Sequence, residues 1–273
     1  MEHAALFDYD PHAALQLREI AAQEREGVAS RLLTYRSPFG ERRVAELIRP
    51  ADTVVRAAIL YVHWYEPEAH DSNRTQFQHE ATAMAKRGVV SLLIETMWSD
   101  RDWFLKRTQA DDRENTIRQV IELRQALDLL LAQPGAVAEH LAYVGHDFGA
   151  MYGVLMGKID RRPTSYVLMA GTPRFPNWYL YYPRLEGAER QAYIASMAPF
   201  DPIAHVADLS PAPLLFQFGH NDPHVPDERA QEFFQAAAQP KQIVWYDAGH
   251  GLNEAATHER EAWLAQQLGL NDT

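Results

Sequence analysis

Leu141-Ala142-Tyr143-Val144-Gly145-His146-Asp147-Phe148-Gly149-Ala150-Met151-Tyr152-Gly153 is the stretch that decides how this chain is read. Its front half is a short apolar run fit for a buried strand. Its back half opens a helix, with small residues at Gly149, Ala150 and Gly153. Between them stands Gly-x-Asp-x-Gly, the spacing of the sharp strand-to-helix turn usually written Gly-x-Ser-x-Gly, here with aspartate at its centre. A side chain at either outer position would collide with the neighbouring strand or helix, so both are glycine. The turn lifts Asp147 to the rim of the sheet, at the N-terminus of a helix whose dipole favours an anion. A carboxylate held there is a candidate nucleophile.

The chain on either side supplies the sheet that such a turn requires. Residues 57–63 and 89–94 are apolar strands before the turn, and 165–170, 213–219 and 241–246 are strands after it. Helical patterns lie between them, near residues 73–86, 114–132, 227–238 and 253–268, the last with Asn253 as N-cap. Residues 31–36 and 42–49 read as a hairpin around Ser37-Pro38-Phe39-Gly40, preceded by a helical pattern over 11–26. Alternation of this kind predicts one α/β domain over 1–273, with a mostly parallel eight-stranded sheet and helices on both faces. Only residues 172–201 break the alternation, and they are expected to form a short lid insertion.

Composition narrows the function classes. The chain has 273 residues, 47% of them hydrophobic and 23% charged, enough for a substantial core. A net charge of −11 argues against nucleic acid and against anionic membrane surfaces. There are no cysteines, which excludes disulfides and thiolate metal sites. No apolar run approaches the ~20 residues of a membrane span. Residues 1–11 have neither the basic start nor the apolar core of a signal peptide, so a cytoplasmic location is expected. The expected partner is a small-molecule substrate. The assembly state stays open, with a homodimer as one option.

In open α/β sheets, sites form at the carboxyl ends of the strands. Those ends carry His63 and Trp64, then Glu95, then Asp147, then Asp222, then His250. Nucleophile, acid and histidine thus follow in the order of a Ser/Asp/His-type triad on this kind of sheet. From about Tyr35 to the C-terminus the chain resembles the α/β-hydrolase superfamily. Val89-Val90-Ser91-Leu92-Leu93-Ile94 and Gly249-His250-Gly251-Leu252 look like its dienelactone-hydrolase-like branch. That branch normally has cysteine or serine at the turn. Gly145-His146-Asp147-Phe148-Gly149 looks instead like the turn of epoxide hydrolases and of haloalkane or haloacid-type dehalogenases with this fold.

The chemistry of a carboxylate sorts these activities. Attack on an acyl carbon would give an anhydride, and the reverse reaction would win. Attack on a saturated carbon opens an epoxide or displaces halide, and leaves an ordinary alkyl ester on Asp147. His250, oriented by Asp222, then activates water to hydrolyse that ester. The resemblance places the oxyanion donors at the backbone N–H groups of Trp64 and Phe148. It also implies lid tyrosines as acids for epoxide opening, which Tyr179, Tyr181 and Tyr182 could supply. Halide loss needs N–H donors, and Phe148, just after the nucleophile, has none on its side chain, so Trp64 or Trp98 would have to serve. Epoxide hydrolysis therefore ranks above dehalogenation.

His63, Glu95 and Trp98 are expected to wall the pocket, and His146 to pack and hydrogen-bond under the turn. His63, His220 and His224 also lie near the mouth but show no metal-binding spacing. No metal or cofactor is implied. Two other readings remain: ester or lactone hydrolysis with Asp147 as a base toward water, and a binding module that has lost its chemistry.

Overall fold

The computed structural model describes residues 4–52 and 54–270. Among the described residues, nine strands form one sheet: β1 Arg18–Arg25, β2 Val28–Arg36, β3 Arg42–Pro50, β4 Ala57–Val62, β5 Val89–Ile94, β6 Leu141–His146, β7 Ser165–Met169, β8 Leu214–Gly219 and β9 Lys241–Tyr246. Their order is β1-β2-β3-β5-β4-β6-β7-β8-β9. β1, β2, β3 and β5 pair antiparallel, and from β5 onward every pairing is parallel.

The α-helices among the described residues are α1 Gln78–Ala85, α2 Trp103–Lys106, α3 Asp112–Leu131, α4 Phe148–Ile159, α5 Pro176–Tyr179, α6 Gly187–Met197, α7 Asp227–Ala236 and α8 Glu254–Gln267. The central strands are buried on both faces, as a parallel sheet covered by crossover helices requires. Alternate residues of one strand therefore serve different cores. Ala58, Leu60 and Val62 pack with α3, α4 and α7, whereas Ala57, Ile59 and Tyr61 pack with α1 and α8. Asn253 caps α8 by accepting the Ala256 N–H at 3.1 Å. Among the described residues, no helix is long and apolar enough to cross a membrane.

Two expectations need correction. The sheet has nine strands, because residues 18–25 form a strand and not part of a helix. β1 is exposed along its whole length, so burial leaves no two-residue period in its sequence. Its Ala, Gln and Glu content then mimics a helix. What holds it is pairing with β2 across a two-residue turn, in which Glu26 (φ 51°) and Gly27 (φ 75°) both adopt left-handed backbone. The break in alternation at residues 172–201 holds α5 and α6, inserted between β7 and β8.

Candidate active site

The turn after β6 is as tight as its glycines imply. A Cβ on Gly145 would lie 2.4 Å from the Gly149 backbone, and one on Gly149 would lie 2.2 Å from the Val62 carbonyl oxygen. Asp147 between them is held at φ 54°, ψ −115°, outside the regions that side chains prefer. Its N–H continues the sheet by donating to the Met169 carbonyl at 2.8 Å, and its carbonyl accepts the Met151 N–H that starts α4.

The carboxylate of Asp147 is fully buried. Its Oδ2 accepts the backbone N–H of Tyr65 at 3.1 Å, while Oδ1 has no hydrogen-bond partner. His250 Nδ1 donates to Asp222 Oδ2 at 2.7 Å. The other oxygen of Asp222 accepts the N–H groups of His224 and Val225 at 2.8 and 3.1 Å. His250 Nε2 is buried and, like Asp147 Oδ1, has no hydrogen-bond partner. The structure thus brings Asp147, Asp222 and His250 to one place.

The charges are coupled. Burial pushes the Asp147 carboxyl up to about 7, against the opposing pull of His250 and of the Tyr65 and Phe148 N–H groups. Burial alone would lower His250. The hydrogen bond to Asp222 and the charges of Asp147 and Asp222 outweigh it, and its pKa is raised. Burial likewise opposes ionisation of Asp222, but the bond from His250 and the two N–H donors leave its pKa lowered.

A stability consequence follows. Between the ordinary carboxyl value of 3.8 and about 7, folded Asp147 keeps a proton that the unfolded chain has released. Stability therefore falls as pH rises through that window. Asp147→Asn removes the ionisation. It should stabilise the protein at pH 8 by on the order of 3 kcal/mol, roughly 5–10 °C in melting temperature. At pH 4 the change should be small. Thermal unfolding of both proteins at both pH values checks this, and an equal melting temperature at pH 8 would refute it.

Several expected site residues take other roles. The N–H of Trp64 is not at the carboxylate. It donates to Gln76 Oε1 at 2.9 Å, and the N–H facing Asp147 belongs to the next residue, Tyr65. The chain leaves β4 through His63, so the backbone amide that reaches the turn is one position later than the resemblance implies. The Phe148 N–H also favours the ionised form of the Asp147 carboxylate.

Of the three tyrosines, Tyr181 packs its ring on Trp178 at 5.6 Å. The buried Tyr179 hydroxyl is bonded to Tyr152 at 2.6 Å, and Tyr181 and Tyr182 are about half exposed. Glu95 faces Arg74 at 3.9 Å on the β3 side instead of walling the site. Trp98 is fully buried behind Phe148, and its indole N–H donates to the His63 carbonyl at 3.1 Å. The Trp64 indole N–H is directed at Asp71. His63 is a buried bracket, with Nδ1 on the Trp64 carbonyl at 2.6 Å and Nε2 near Ser99 and Thr96. Burial drives its pKa down to about 3, so it is neutral.

Tyr65, Gln76 and Trp178 were not singled out from sequence, and His224 only as one of three histidines near the mouth. Trp178, in α5, stands over His250, with ring centroids 5.7 Å from His250, 5.2 Å from His224 and 5.8 Å from Phe148. Its indole N–H is buried without a partner. The only sequence signal was its place beside the tyrosines in the insertion. Among the described residues, no group of three or more His, Asp or Glu side chains is arranged to hold a metal ion.

No protein-family model matches the chain, and no curated protein matches its sequence. Solved structures do resemble it. The acetyl xylan esterase from Paenibacillus sp. R4 matches with a TM-score of 0.75 at 14% identity, over 97% of this chain and 92% of that one. Acetyl xylan esterase 1 from Thermoanaerobacterium sp. JW/SL YS485 gives 0.74 at 12% identity, over 99% and 92%. The esterase domain from a Rhodothermus marinus protein gives 0.64 at 19% identity, over 88% and 98%. The chain has the α/β-hydrolase fold.

Proposed function

We propose that the protein is a hydrolase in which Asp147 attacks a saturated carbon of a small, mostly apolar substrate and displaces a group that leaves as an anion. One observation carries this reading: Asp147 fills its own oxyanion site. Its Oδ2 lies on the Tyr65 N–H, where a serine enzyme would receive the substrate's carbonyl oxygen, and its Oδ1 is unpaired. An acyl substrate would thus find those donors occupied. An alkyl substrate needs none in the first step. In the second step the oxyanion forms on the carboxyl group of Asp147 itself, with the donors already on it.

The steps balance. Oδ1 of the carboxylate forms a C–O bond while the carbon–leaving-group bond breaks and takes its electrons away. Water then gives a proton to His250 Nε2 and attacks the ester carbonyl of Asp147. The tetrahedral intermediate collapses to the carboxylic acid of Asp147 and an alkoxide, which takes the proton from His250 and leaves as the alcohol, and Asp147 then releases its remaining proton to solvent. Alkylation also removes the negative charge that helps raise the His250 pKa. That loss favours the neutral imidazole at the step that needs a base.

The leaving group is inferred from the donors. With the tyrosine hydroxyls engaged or exposed, an epoxide oxygen has no evident acid. The buried, unpartnered N–H of Trp178 beside His250 suits a halide or similar anion, which needs a hydrogen bond and no proton. Trp178→Phe keeps the ring and should lower kcat/KM by about 10- to 100-fold, the worth of one hydrogen bond to a charge. Tyr179→Phe should leave kcat/KM nearly unchanged while costing about 1 kcal/mol of stability. Steady-state kinetics with 1-bromobutane and urea unfolding read both. The reverse pattern would return epoxide opening to first place. In this reading the α5–α6 insertion serves as the lid.

Ester hydrolysis is the second reading, favoured by the esterase structures that share the fold. A single turnover in heavy-oxygen water separates the two. With 1-bromobutane or 1,2-epoxybutane, the label should enter the Asp147 side chain and the product should carry unlabelled oxygen. Label passing straight into product, with an unlabelled Asp147 peptide, would overturn the proposal.

A further inference from the structure

His146 and Gln76 are buried or half-buried groups that the reaction above does not use, yet their hydrogen bonds join the two loops that it depends on. His146 Nε2 lies 2.9 Å from the His250 carbonyl oxygen, and Nδ1 lies 2.6 Å from Gln76 Nε2. Gln76 Oε1 accepts the Trp64 N–H at 2.9 Å. The direction of this chain is fixed by elimination. A carbonyl oxygen can only accept, so Nε2 carries the proton. Full burial holds the His146 pKa well below its ordinary value, so the ring is neutral and Nδ1 offers a lone pair. The Gln76 amide must then point its NH2 at His146 and its oxygen at Trp64, and a flipped amide would break both contacts. The Trp64 ring closes the assembly by stacking on His146 at 4.9 Å and on His250 at 6.0 Å.

We propose that Gln76 and His146 are positioning residues: a one-directional relay, Trp64 N–H to Gln76 to His146 to the His250 carbonyl, that sets the loop carrying the Tyr65 N–H and the loop carrying His250 relative to each other. Neither touches the reacting atoms. Each acts through a backbone group adjoining one that does, and Asp147 sits between the two loops. Displacement of a catalytic group by about 1 Å can cost on the order of 100-fold in rate. The relay's kinetic consequence rests on the alkyl-ester reading, but its geometry does not.

The test therefore has an arm that needs no turnover. In the unmodified protein, 15N shifts of His146 should report the neutral Nε2–H form throughout pH 5–9. An Nδ1–H form would overturn the relay. Gln76→Glu keeps the oxygen that faces Trp64 and replaces the NH2 that faces His146 by a second oxygen. His146 should then move its proton to Nδ1 or gain a second one, and the resonances of Tyr65 N–H and the His250 ring should shift. Hydrolysis of the 1-bromobutane adduct should slow by about 100-fold with KM changed little. A Gln76→Glu protein with unshifted His146, Tyr65 and His250 signals would overturn the proposal, as would adduct hydrolysis at the unmodified rate. If no adduct ever forms in the unmodified protein, the alkyl-ester reading fails, and the resonance shifts alone decide the relay.

Discussion

His250→Gln should accumulate the alkyl ester on Asp147 and stop there. Attack by Oδ1 on carbon needs the ionised carboxylate, not the imidazole, so the first step survives the substitution. The second step loses the imidazole that Asp222 orients, whose buried Nε2 has no hydrogen-bond partner. His63 and His146 cannot replace it, because their ring nitrogens are engaged elsewhere and burial keeps both neutral. Removing a triad member costs on the order of 10³-fold or more in turnover. Mass spectrometry of the Asp147 peptide after exposure to 1-bromobutane should show the mass of one butyl group on nearly every molecule. An unmodified peptide with both 1-bromobutane and 1,2-epoxybutane, together with ester turnover by the unmodified protein, would reverse the ranking of the two readings.

Asp147→Ser should exchange one activity for another. The substitution withdraws Oδ2 from the Tyr65 N–H and so frees the oxyanion donors for a substrate carbonyl. It also places a hydroxyl where His250, held by Asp222 at 2.7 Å, can act as its base. Displacement at saturated carbon should fall by at least about 10⁴-fold, since a serine hydroxyl does not displace halide at neutral pH and the carboxylate is the whole of the nucleophile. Hydrolysis of p-nitrophenyl acetate should rise above that of the unmodified protein. Ester hydrolysis that is strong before the substitution and lost after it would instead identify Asp147 as a base toward water. The burial energetics act on the same residue. An ionised carboxylate with one unpaired buried oxygen costs stability, and its removal by Asp147→Asn is expected to recover it.

Local sterics and burial periodicity are written in neighbouring residues, and these were legible. The glycines at 145 and 149 are forced by contacts of 2.4 and 2.2 Å, so their spacing alone announced the turn. The wholly buried central strands announced a parallel sheet, and the ends of those strands announced Asp147, Asp222 and His250. β1 was illegible because a strand exposed on both faces carries no burial pattern, and only its pairing with β2 defines it.

What the sequence determined by itself is the turn, the mostly parallel sheet that follows from alternation, and which carboxylates and imidazole stand at the ends of its strands. Which backbone amide faces Asp147, which indole is left unpaired and which tyrosines are spent on other partners came only from the tertiary structure. Those assignments depend on displacements of one residue along a loop and on the rotation of one ring. Such distances are set by the packing of α5, the β4 loop and the β9 loop against one another, and no spacing along the chain encodes them.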